Sequence, residues 1–256
     1  MNLFYRQYGA GEPLLILHGL FGQCDNWASI AKALGETYTV YCMDLPNHGQ
    51  SPHTEEFNYT AMVEDIRMTV ENLGLTKFHL LGHSMGGKVA MFFAQAFPEM
   101  LISLMVIDIG TKYYPPHHQE VIAGLQAVNL ALLTSRNEAE KVMLPFIEDA
   151  GTRQFLLKNL VRKEDNGFDW RFNLPLIAEK IEEVGEALPE GKVLTRTLFY
   201  RGGNSRYIKD EDIAAIQLQF PNATFETMEG AGHWLHAEKP GEFVEVVNGF
   251  LGKVTF

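Results

Sequence analysis

The sequence predicts an α/β fold, in which helices cover both faces of a mostly parallel β-sheet and a helical cap is inserted into the sheet domain. Three observations predict it. Short runs of β-branched and aromatic residues alternate with longer segments of helical period, as expected of strands joined by crossover helices. Strand candidates such as LLILHG, VYCMDL and FHLLGH are continuously apolar, which is typical of parallel strands covered on both faces. The alternation stops between residues 112 and 188, where the sequence becomes helical and charged.

The elements of the sheet domain follow from these runs in chain order. Strands are predicted over residues 2–8, 13–17, 38–43, 78–82, 102–107, 195–200 and 223–228. Helices are predicted over 26–34, 58–73, 85–97, 208–218 and 240–251, where apolar residues recur at the spacing of one helix face. The sheet domain therefore comprises residues 1–111 and 189–256.

The helical cap is predicted over residues 112–188. Four stretches in it have helical character, VIAGLQAVNLALL, EAEKVMLPFIEDA, TRQFLLKNLVRK and LPLIAEKIEEV, and none has a convincing strand pattern. Pro115-Pro116 opens the region and Pro189-Glu190-Gly191 closes it, and both favour breaks in regular structure. Because such an insertion covers the strand ends, we expect it to set specificity.

Composition narrows the functional classes. The chain has 256 residues, of which 46% are hydrophobic, enough for one large soluble domain with a sizeable core. The formal net charge of −11 provides no global positive field for nucleic acid or an anionic membrane. Two cysteines make neither a disulfide framework nor a zinc site. We therefore expect no metal, no nucleic acid and a small-molecule partner, with the chain a monomer or a weak homo-oligomer.

The first residues, MNLFYRQYGAGEPLLILHG, lack the basic and long apolar regions of a secretory signal. No run of about 18 apolar residues predicts a membrane span. A cytoplasmic location is the expectation.

The segment FHLLGHSMGGKVA, residues 78–90, contains the strongest functional signal. Ser84 lies in a G-x-S-x-G pattern between a predicted strand and a predicted helix, which is the setting of a nucleophile elbow. Such a turn strains the serine backbone, and bulky residues at positions 82 and 86 would clash there. The pattern therefore predicts Ser84 as a nucleophile, which needs a base to attack at neutral pH.

His233 is the predicted base. It follows the predicted strand 223–228 and precedes the last helix. In an open α/β sheet this position lies at the carboxyl edge of the strands, the edge that also carries Ser84. His236 follows three residues later and is expected to support the site or to lie at the surface.

An oxyanion formed by attack of Ser84 needs backbone N–H donors. The residue after the nucleophile, Met85, and the loop after an early strand are the expected sources. That loop is His18-Gly19-Leu20-Phe21-Gly22, and Leu20 is the predicted second donor.

Six motifs occur in the order found in one large family. They are HGLFG (18–22), DLPNHGQSP (44–52), GHSMGGK (82–88), VIDIG (106–110), GGNSRY (202–207) and AGHWLHAEKP (231–240). Together they resemble the α/β-hydrolase superfamily, and within it the YbfF-like esterases most closely. The resemblance spans nearly the whole chain and implies the α/β-hydrolase fold, with the cap where that fold carries it. It implies no cofactor.

The acid partner of His233 departs from the pattern of many α/β-hydrolases. In those proteins an acid lies in a G-x-x-D loop after a late strand, and Ser205 occupies that position here. Asp108 closes the strand 102–107 and can approach the same histidine from a neighbouring strand end. Resemblance to the YbfF-like esterases implies that Asp108 is the acid. Asp210 and Asp212 remain rivals, although a predicted helix start explains them as capping residues.

Asp44 also follows a strand at this edge. With Asn47, His48 and Ser51 it forms a cluster typical of a hydrogen-bonded loop brace. We expect a structural role for it.

The candidate substrate-binding residues are Phe21, His83 and Trp234, which adjoin the motifs, and Phe155, Trp170, Arg153 and Lys158 in the cap. The aromatic residues could line an acyl tunnel or form the core of the cap. Arg153, Lys158, Arg162 and Lys163 fall on one predicted helix, with Lys158 and Arg162 on one face. Such a patch could bind the phosphates of coenzyme A or be a solvated surface.

These residues predict a serine esterase that hydrolyses short-to-medium acyl esters or acyl-coenzyme A thioesters through an acyl-enzyme on Ser84. A C–C bond hydrolase or a cofactor-free haloperoxidase would use the same three residues and stays open. A ligand-binding receptor is a third alternative, less favoured because nucleophile, base and acid candidates are all present.

Overall fold

The computed structural model describes residues 1–164 and 166–252, so the predicted sheet segment 189–256 is described up to residue 252. The strands are β1 (Tyr5–Tyr8), β2 (Glu12–Leu17), β3 (Tyr38–Met43), β4 (Phe78–His83), β5 (Leu101–Ile107), β6 (Leu160–Arg162), β7 (Phe168–Trp170), β8 (Thr197–Gly202) and β9 (Ala223–Met228). The helices are α1 (Ala28–Leu34), α2 (Tyr59–Asn72), α3 (Met85–Ala96), α4 (Gln119–Ala127), α5 (Arg136–Met143), α6 (Ala150–Leu157), α7 (Leu174–Glu179), α8 (Ile213–Gln219), α9 (Leu235–Glu238) and α10 (Pro240–Leu251). Short 3₁₀ helices cover Cys24–Trp27, Pro98–Met100, Ile181–Gly185 and Asp210–Asp212.

Seven of the described strands form one sheet in the order β1-β3-β2-β4-β5-β8-β9. Only β1 runs antiparallel to its neighbour, and the other adjacent pairs are parallel. The predicted α/β class is therefore confirmed, and every strand predicted for the sheet domain is present. The largest shift is at β1, which begins three residues later than predicted, and β8 begins two residues later than predicted and extends to Gly202.

The register of the sheet brings four loops to one edge. Leu17 of β2 pairs with Gly82 of β4, Gly82 pairs with Val106 of β5, and Val106 pairs with Phe199 of β8. Since these strands are parallel, the residues that follow them leave the sheet at the same edge. The segments beginning at positions 18, 84, 108 and 203 therefore meet there.

Apolar side chains cover both faces of the sheet. Successive residues of a strand point to opposite faces, so neighbouring residues of one strand belong to different clusters. In β2, Leu14 and Ile16 belong to one buried cluster and Leu15 and Leu17 to the other. The first cluster includes residues of α1 and α10, and the second includes residues of α2, α3 and the inserted region. This two-sided burial explains why the central strands are apolar throughout.

The region 112–188 contains α4 to α7, as predicted, and also a short hairpin that the sequence analysis missed. In the hairpin β6 pairs antiparallel with β7, Leu160 opposite Trp170 and Arg162 opposite Phe168. The expectation of no strand was therefore wrong. Strands of three residues are too short to show alternation, and their apolar residues continue the spacing of α6.

Asn159 explains why α6 ends before the hairpin. Its side chain is fully buried, and its Nδ2 donates to the carbonyl oxygen of Phe21 at 2.8 Å. Its own carbonyl oxygen accepts from Arg171 N at 2.9 Å. A helix continued through residue 162 would lose both contacts, because one requires the Asn159 side chain to face Phe21 and the other leaves its carbonyl oxygen outside a helix, where Arg171 N reaches it.

Lys88 connects α3 to both ends of the inserted region. Its Nζ donates to the carbonyl oxygens of Lys112 at 2.6 Å and Glu186 at 2.7 Å, and to that of Thr111 at 3.3 Å. The side chain is fully buried, and burial lowers the pKa of Lys88 to about 7. The chain passes from the sheet domain into the insertion near Lys112 and returns near Glu186. Lys88 thus fixes both of these crossings to the helix that follows Ser84. None of the described helices combines the length and apolar character that a bilayer crossing requires.

Candidate active site

Ser84 occupies the turn between β4 and α3 in a strained backbone conformation, with φ 53° and ψ −120°. The turn is tight because backbone atoms pack directly against it. A Cβ at Gly82 would lie 2.1 Å from the carbonyl oxygen of Gly86, and one at Gly86 would lie 2.5 Å from that of Leu17. Both glycines are therefore required by close approach, as the elbow interpretation predicted.

Ser84, His233 and Asp108 form one hydrogen-bonded chain. The Nε2 atom of His233 lies 3.0 Å from Ser84 Oγ, and its Nδ1 lies 2.7 Å from Asp108 Oδ2. With the proton on Nδ1, the imidazole donates to the carboxylate and accepts the serine hydroxyl through Nε2. This arrangement orients a base toward a nucleophile, which is the geometry that acyl transfer requires.

The ring of His233 is held from three directions. Its backbone carbonyl accepts a hydrogen bond from His83 Nε2 at 2.9 Å. Tyr207 stacks on it with ring centroids 4.1 Å apart, and His83 packs beside it at 4.7 Å. Burial is the largest cause that lowers the pKa of His83 well below its usual value. A neutral His83 supports His233 without placing a charge beside it.

Asp108 leaves β5 with a positive φ of 51°, and its side chain is fully buried. Its Oδ1 accepts from Gly202 N at 3.1 Å, and its Oδ2 accepts from the Ser205 hydroxyl as well as from His233. Ser205, which occupies the acid position of related sequences, thus hydrogen-bonds to the carboxylate that is present. The sequence analysis identified its position but not this contact.

The rival acids lie elsewhere. Asp210 is exposed and pairs with Arg201, with 2.5 Å between Asp210 Oδ1 and Arg201 Nη2. Asp212 accepts from Lys112 Nζ at 2.6 Å and from Lys209 N at 2.8 Å. Neither carboxylate contacts His233.

Two backbone N–H groups beside Ser84 have no hydrogen-bond partner among the described residues, those of Leu20 and Met85. Met85 is the first residue of α3, and the first N–H groups of a helix lack intrahelical acceptors and carry the positive end of its dipole. Both predicted donors are therefore available to an anion.

Two buried histidines shape the loop that carries Leu20. His48 Nε2 accepts from Phe21 N at 3.2 Å, and His18 Nε2 accepts from Leu45 N at 2.9 Å. Burial lowers the pKa of His18 to about 4 and that of His48 to about 3. Both rings are thus neutral near pH 7, as an acceptor at Nε2 must be.

Asp44 braces this loop, which confirms its predicted structural role. Its Oδ1 accepts from Cys24 N at 2.6 Å, its Oδ2 accepts from Gln50 N at 2.8 Å, and its carbonyl oxygen accepts from the Ser51 hydroxyl at 2.6 Å. Both carboxylate oxygens of Asp44 thus already accept hydrogen bonds from the loop backbone.

A cavity of about 220 Å³ opens above Ser84 and His233. Of the predicted substrate-binding residues, Phe21, His83, Trp234 and Phe155 line it, as does Leu20. Phe155 of the inserted region packs on Trp234 of the sheet domain, with ring centroids 5.7 Å apart. The insertion therefore forms part of the cavity wall.

The other three predicted substrate-binding residues do not line this cavity. Trp170 is buried and stacks on Phe172, which separates it from the cavity-lining Phe21. Arg153 is buried, and its Nη1 donates to the carbonyl oxygens of residues 147 and 148. Lys158 is exposed at the end of α6.

The prediction of a basic helix face is also wrong. α6 ends at Leu157, whereas Arg162 lies in β6. Lys158 and Arg162 therefore do not share a helix face. The predicted patch depended on a helix that continued through residue 163.

Several cavity residues were not predicted, among them Tyr207, His117 and His118. The Nε2 atom of His117 lies 2.7 Å from the Tyr207 hydroxyl oxygen, and the buried Nδ1 of His118 has no hydrogen-bond partner in the described part of the chain. Burial lowers the pKa of His118 to about 4. The Pro-Pro-His-His run marks a rigid entry to the insertion, but only the fold shows that it lies over Ser84.

No three His, Cys, Asp or Glu side chains converge as a metal site within residues 1–164 and 166–252. Around Ser84 the chain brings together a serine hydroxyl, an imidazole, a carboxylate and two backbone N–H groups that have no partner among the described residues.

Comparisons with known proteins also indicate a hydrolase. A family model described as an alpha/beta hydrolase fold matches residues 12–240. The chain is 34% identical over 243 residues to esterase YbfF of Escherichia coli K12, covering 94% of this chain and 93% of that protein. It is 36% identical over 247 residues to the sn-1-specific diacylglycerol lipase ABHD11 of Mus musculus, covering 93% and 80% respectively. The solved structure of a marine microorganism esterase matches with a TM-score of 0.95 and 39% identity, covering 97% of this chain and 99% of that one.

Proposed function

This chain belongs to the α/β-hydrolase family, and we propose that it is a serine esterase that cleaves carboxylic esters and thioesters through an acyl-enzyme on Ser84. The observation that carries the proposal is the chain of contacts from Asp108 through His233 to Ser84, at 2.7 Å and 3.0 Å. Esterase and lipase relatives at 34% and 36% identity support the ester as substrate.

Acylation begins when Ser84 Oγ attacks the substrate carbonyl carbon and His233 Nε2 takes the serine proton. Asp108 stabilises the imidazolium that forms and keeps the ring in its productive tautomer. The tetrahedral intermediate then collapses, and His233 gives the proton to the leaving alcohol or thiol. The acyl group remains as an ester of Ser84.

The negative oxygen of the intermediate needs donors that are already in place. The N–H groups of Leu20 and Met85, which have no partner among the described residues, would fill this role. Deacylation repeats the sequence with water, which His233 activates by taking a proton. The carboxylic acid leaves and Ser84 recovers its hydroxyl.

Thioesters are included because attack on their carbonyl needs the same groups, and a thiolate is a better leaving group than an alkoxide. We also propose that residues 112–188 act as a cap, since Thr152, Phe155 and Leu156 of that region line the cavity. No specific contact favours C–C bond hydrolysis, haloperoxidase activity or a purely receptor role.

Hydrolysis of p-nitrophenyl acetate tests the proposal. Ser84→Ala is expected to lower kcat by at least about a thousandfold, because removing the nucleophile of such a unit removes most of its catalysis. Ser29→Ala is the matched control, since Ser29 is exposed on α1 and is not among the described residues that line the cavity at Ser84. If Ser84→Ala keeps the parent rate, Ser84 is not the nucleophile and the proposed mechanism is wrong.

A further inference from the structure

Two cavities meet at Ser84. The larger one, about 220 Å³, includes His233, Trp234 and Phe155 in its wall. The smaller one, about 20 Å³, lies on the other side and includes Met85, Ile109 and Val184. Both share Leu20, Ser84 and Tyr207, whereas His233 belongs only to the larger and Met85 only to the smaller. A substrate bound at Ser84 therefore has two unequal spaces to occupy.

The proposed mechanism decides which part of the substrate enters each space. His233 must reach the leaving atom to protonate it, so the leaving group has to lie on the side that His233 lines. The acyl chain then points to the other side, past the Met85 N–H that would hold the oxyanion. We propose that the small cavity receives the acyl chain and the large cavity the leaving group, so that the enzyme selects acetyl and propionyl esters or thioesters of bulky alcohols and thiols. This inference rests on the proposed esterase function.

The volume of the small cavity sets the length of the acyl chain. A water molecule needs about 10–15 Å³ measured in this way, so a cavity of about 20 Å³ holds one or two carbon-sized groups. An acetyl methyl group fits it, and a propionyl chain fills it. A hexanoyl chain requires the wall to move.

Hydrogen bonds hold that wall in place. The 3₁₀ helix Ile181–Gly185 forms it, and the Val184 carbonyl oxygen accepts from the buried Tyr59 hydroxyl at 2.6 Å. The Gly185 carbonyl oxygen accepts from Tyr114 N at 2.8 Å, and a Cβ at Gly185 would lie 2.0 Å from the carbonyl oxygen of Tyr114. Dilating the cavity would break these contacts and leave buried carbonyl groups unpaired, which is costly.

The chemistry of the lining favours an uncharged alkyl group. Met85, Ile109, Ile181 and Val184 contribute apolar surface. The polar groups of Tyr114, His117 and Tyr207, which also line it, already hydrogen-bond to one another or to the backbone. His118 also lines it and is neutral near pH 7, since burial lowers its pKa to about 4. Lys88 also lines the cavity, but its Nζ already donates to three backbone carbonyl oxygens. Since an ammonium has three donors, it has none left for an acyl substituent.

A crossed specificity experiment on the full chain tests this assignment. The acyl series is p-nitrophenyl acetate, propionate, butyrate and hexanoate, and the leaving-group series is phenyl acetate and 1-naphthyl acetate. For the parent, kcat/KM is expected to be at least about tenfold lower for hexanoate than for acetate, since a single misplaced methylene costs about tenfold or more. Val184→Ala is expected to raise the ratio of kcat/KM for hexanoate to that for acetate about tenfold, because the smaller side chain enlarges the small cavity.

Two further variants complete the specificity experiment, one on each cavity. Val184→Leu should lower the propionate-to-acetate ratio, so a second substitution with the opposite effect is available if the first fails to fold. Phe155→Ala, on the large cavity, should change the naphthyl-to-phenyl ratio and leave the hexanoate-to-acetate ratio within about twofold of the parent. Thermal melting of each variant verifies that it is folded.

The inference is overturned if the parent prefers hexanoate, if folded Val184 variants keep the parent acyl profile, or if Phe155→Ala shifts the acyl profile instead. Each of these outcomes leaves the esterase proposal intact, because all are measured on an active enzyme. Failure of the proposed function has a different signature, namely acetate hydrolysis that survives Ser84→Ala.

Discussion

Ser84 and Asp108 follow neighbouring strands, and both have a positive φ. Their φ values are 53° and 51°, in the left-handed region that residues with side chains seldom adopt. Each conformation costs roughly 1–3 kcal/mol and persists only where the surroundings impose it. Here the backbone of each residue is fixed by an adjacent strand, since Ser84 N donates to Ile107 O at 3.0 Å and Asp108 N donates to Tyr200 O at 2.9 Å. The strain turns both side chains toward His233.

A prediction at this scale concerns the acid. Asp108→Asn is expected to lower kcat by about 10³–10⁴-fold, because an amide neither stabilises the imidazolium nor favours the productive tautomer. Asp210→Asn makes the same chemical change at an exposed carboxylate that pairs with Arg201, and it should leave kcat at the parent value. Steady-state hydrolysis of p-nitrophenyl acetate measures both. A loss in Asp210→Asn with none in Asp108→Asn would transfer the acid role to the other residue.

The sequence predicted the individual positions of this site better than their contacts. Ser84 and His233 are recognisable because a nucleophile elbow and a histidine after the last strand have local signatures. The contacts of Ser205 and Tyr207 with Asp108 and His233 were not predicted. The hydrogen bond joins residues 97 positions apart and the ring stack joins residues on loops after different strands, so both depend on the register of the sheet, which no local pattern encodes.

At the scale of elements, the turn from β4 to α3 depends on how closely backbone segments approach. Gly82→Ala is expected to lower the free energy of unfolding by about 3 kcal/mol or more, because its Cβ overlaps the Gly86 carbonyl and neither backbone can retreat. Gly249→Ala is the matched control, since Gly249 is exposed in α10 and, outside its own helix backbone, no atom of the described residues lies within 4 Å of the added Cβ. It should raise the free energy of unfolding by about 0.5–1 kcal/mol, as alanine does in a helix interior.

Urea unfolding of both variants, followed by circular dichroism, measures these changes. An unchanged midpoint for Gly82→Ala would mean that the turn can relax, and the argument that the elbow requires glycine would then fail. The opposite signs expected for the two alanines separate a local clash from any general effect of removing glycine.

Elements were predictable where they are long or buried on both faces. Each core strand gives a continuous apolar run, and α2, α3 and α10 cover 12 residues or more, so their period is visible. The hairpin of β6 and β7 was missed because three residues carry no period, and α6 was extended because its apolar spacing continues past Leu157. What ends α6 is the contact of Asn159 with Phe21, which belongs to the tertiary structure.

At the scale of the whole molecule, the insertion and the sheet domain share buried polar contacts. Asn173 N donates to the carbonyl oxygen of Asn47 at 2.9 Å, and Arg171 Nη1 donates to Gln23 Oε1 at 2.9 Å. Lys88 adds the contacts at the two crossings. These bonds link the insertion to the loop that carries Leu20, whose N–H has no partner among the described residues, and to the loop that Asp44 braces. The geometry of the site is thus a property of both regions together.

The net charge of the chain leads to a prediction at this same scale. No Lys, Arg, Asp or Glu among residues 1–164 and 166–252 lines the large cavity. The field that a charged substrate meets on approach therefore arises mainly from the rest of the molecule, and the formal charge of the chain is −11. That field repels a polyanionic thioester such as acetyl-coenzyme A, and salt screens the repulsion over about 10 Å at about 0.1 M. We therefore expect kcat/KM for acetyl-coenzyme A to rise by a few fold as sodium chloride increases from about 10 to about 200 mM, with p-nitrophenyl acetate nearly unaffected.

The neutral ester is the internal control, because an effect of salt on the fold or on the reacting groups would change kcat/KM for both substrates. The opposite slope, a fall in kcat/KM for acetyl-coenzyme A alone, would show that a local positive region outweighs the global charge. The groove lined by Arg136, Arg162 and Arg171 is the region to test in that case. Arg162→Gln should then make the fall less steep, because it removes one of the three guanidinium groups of that groove.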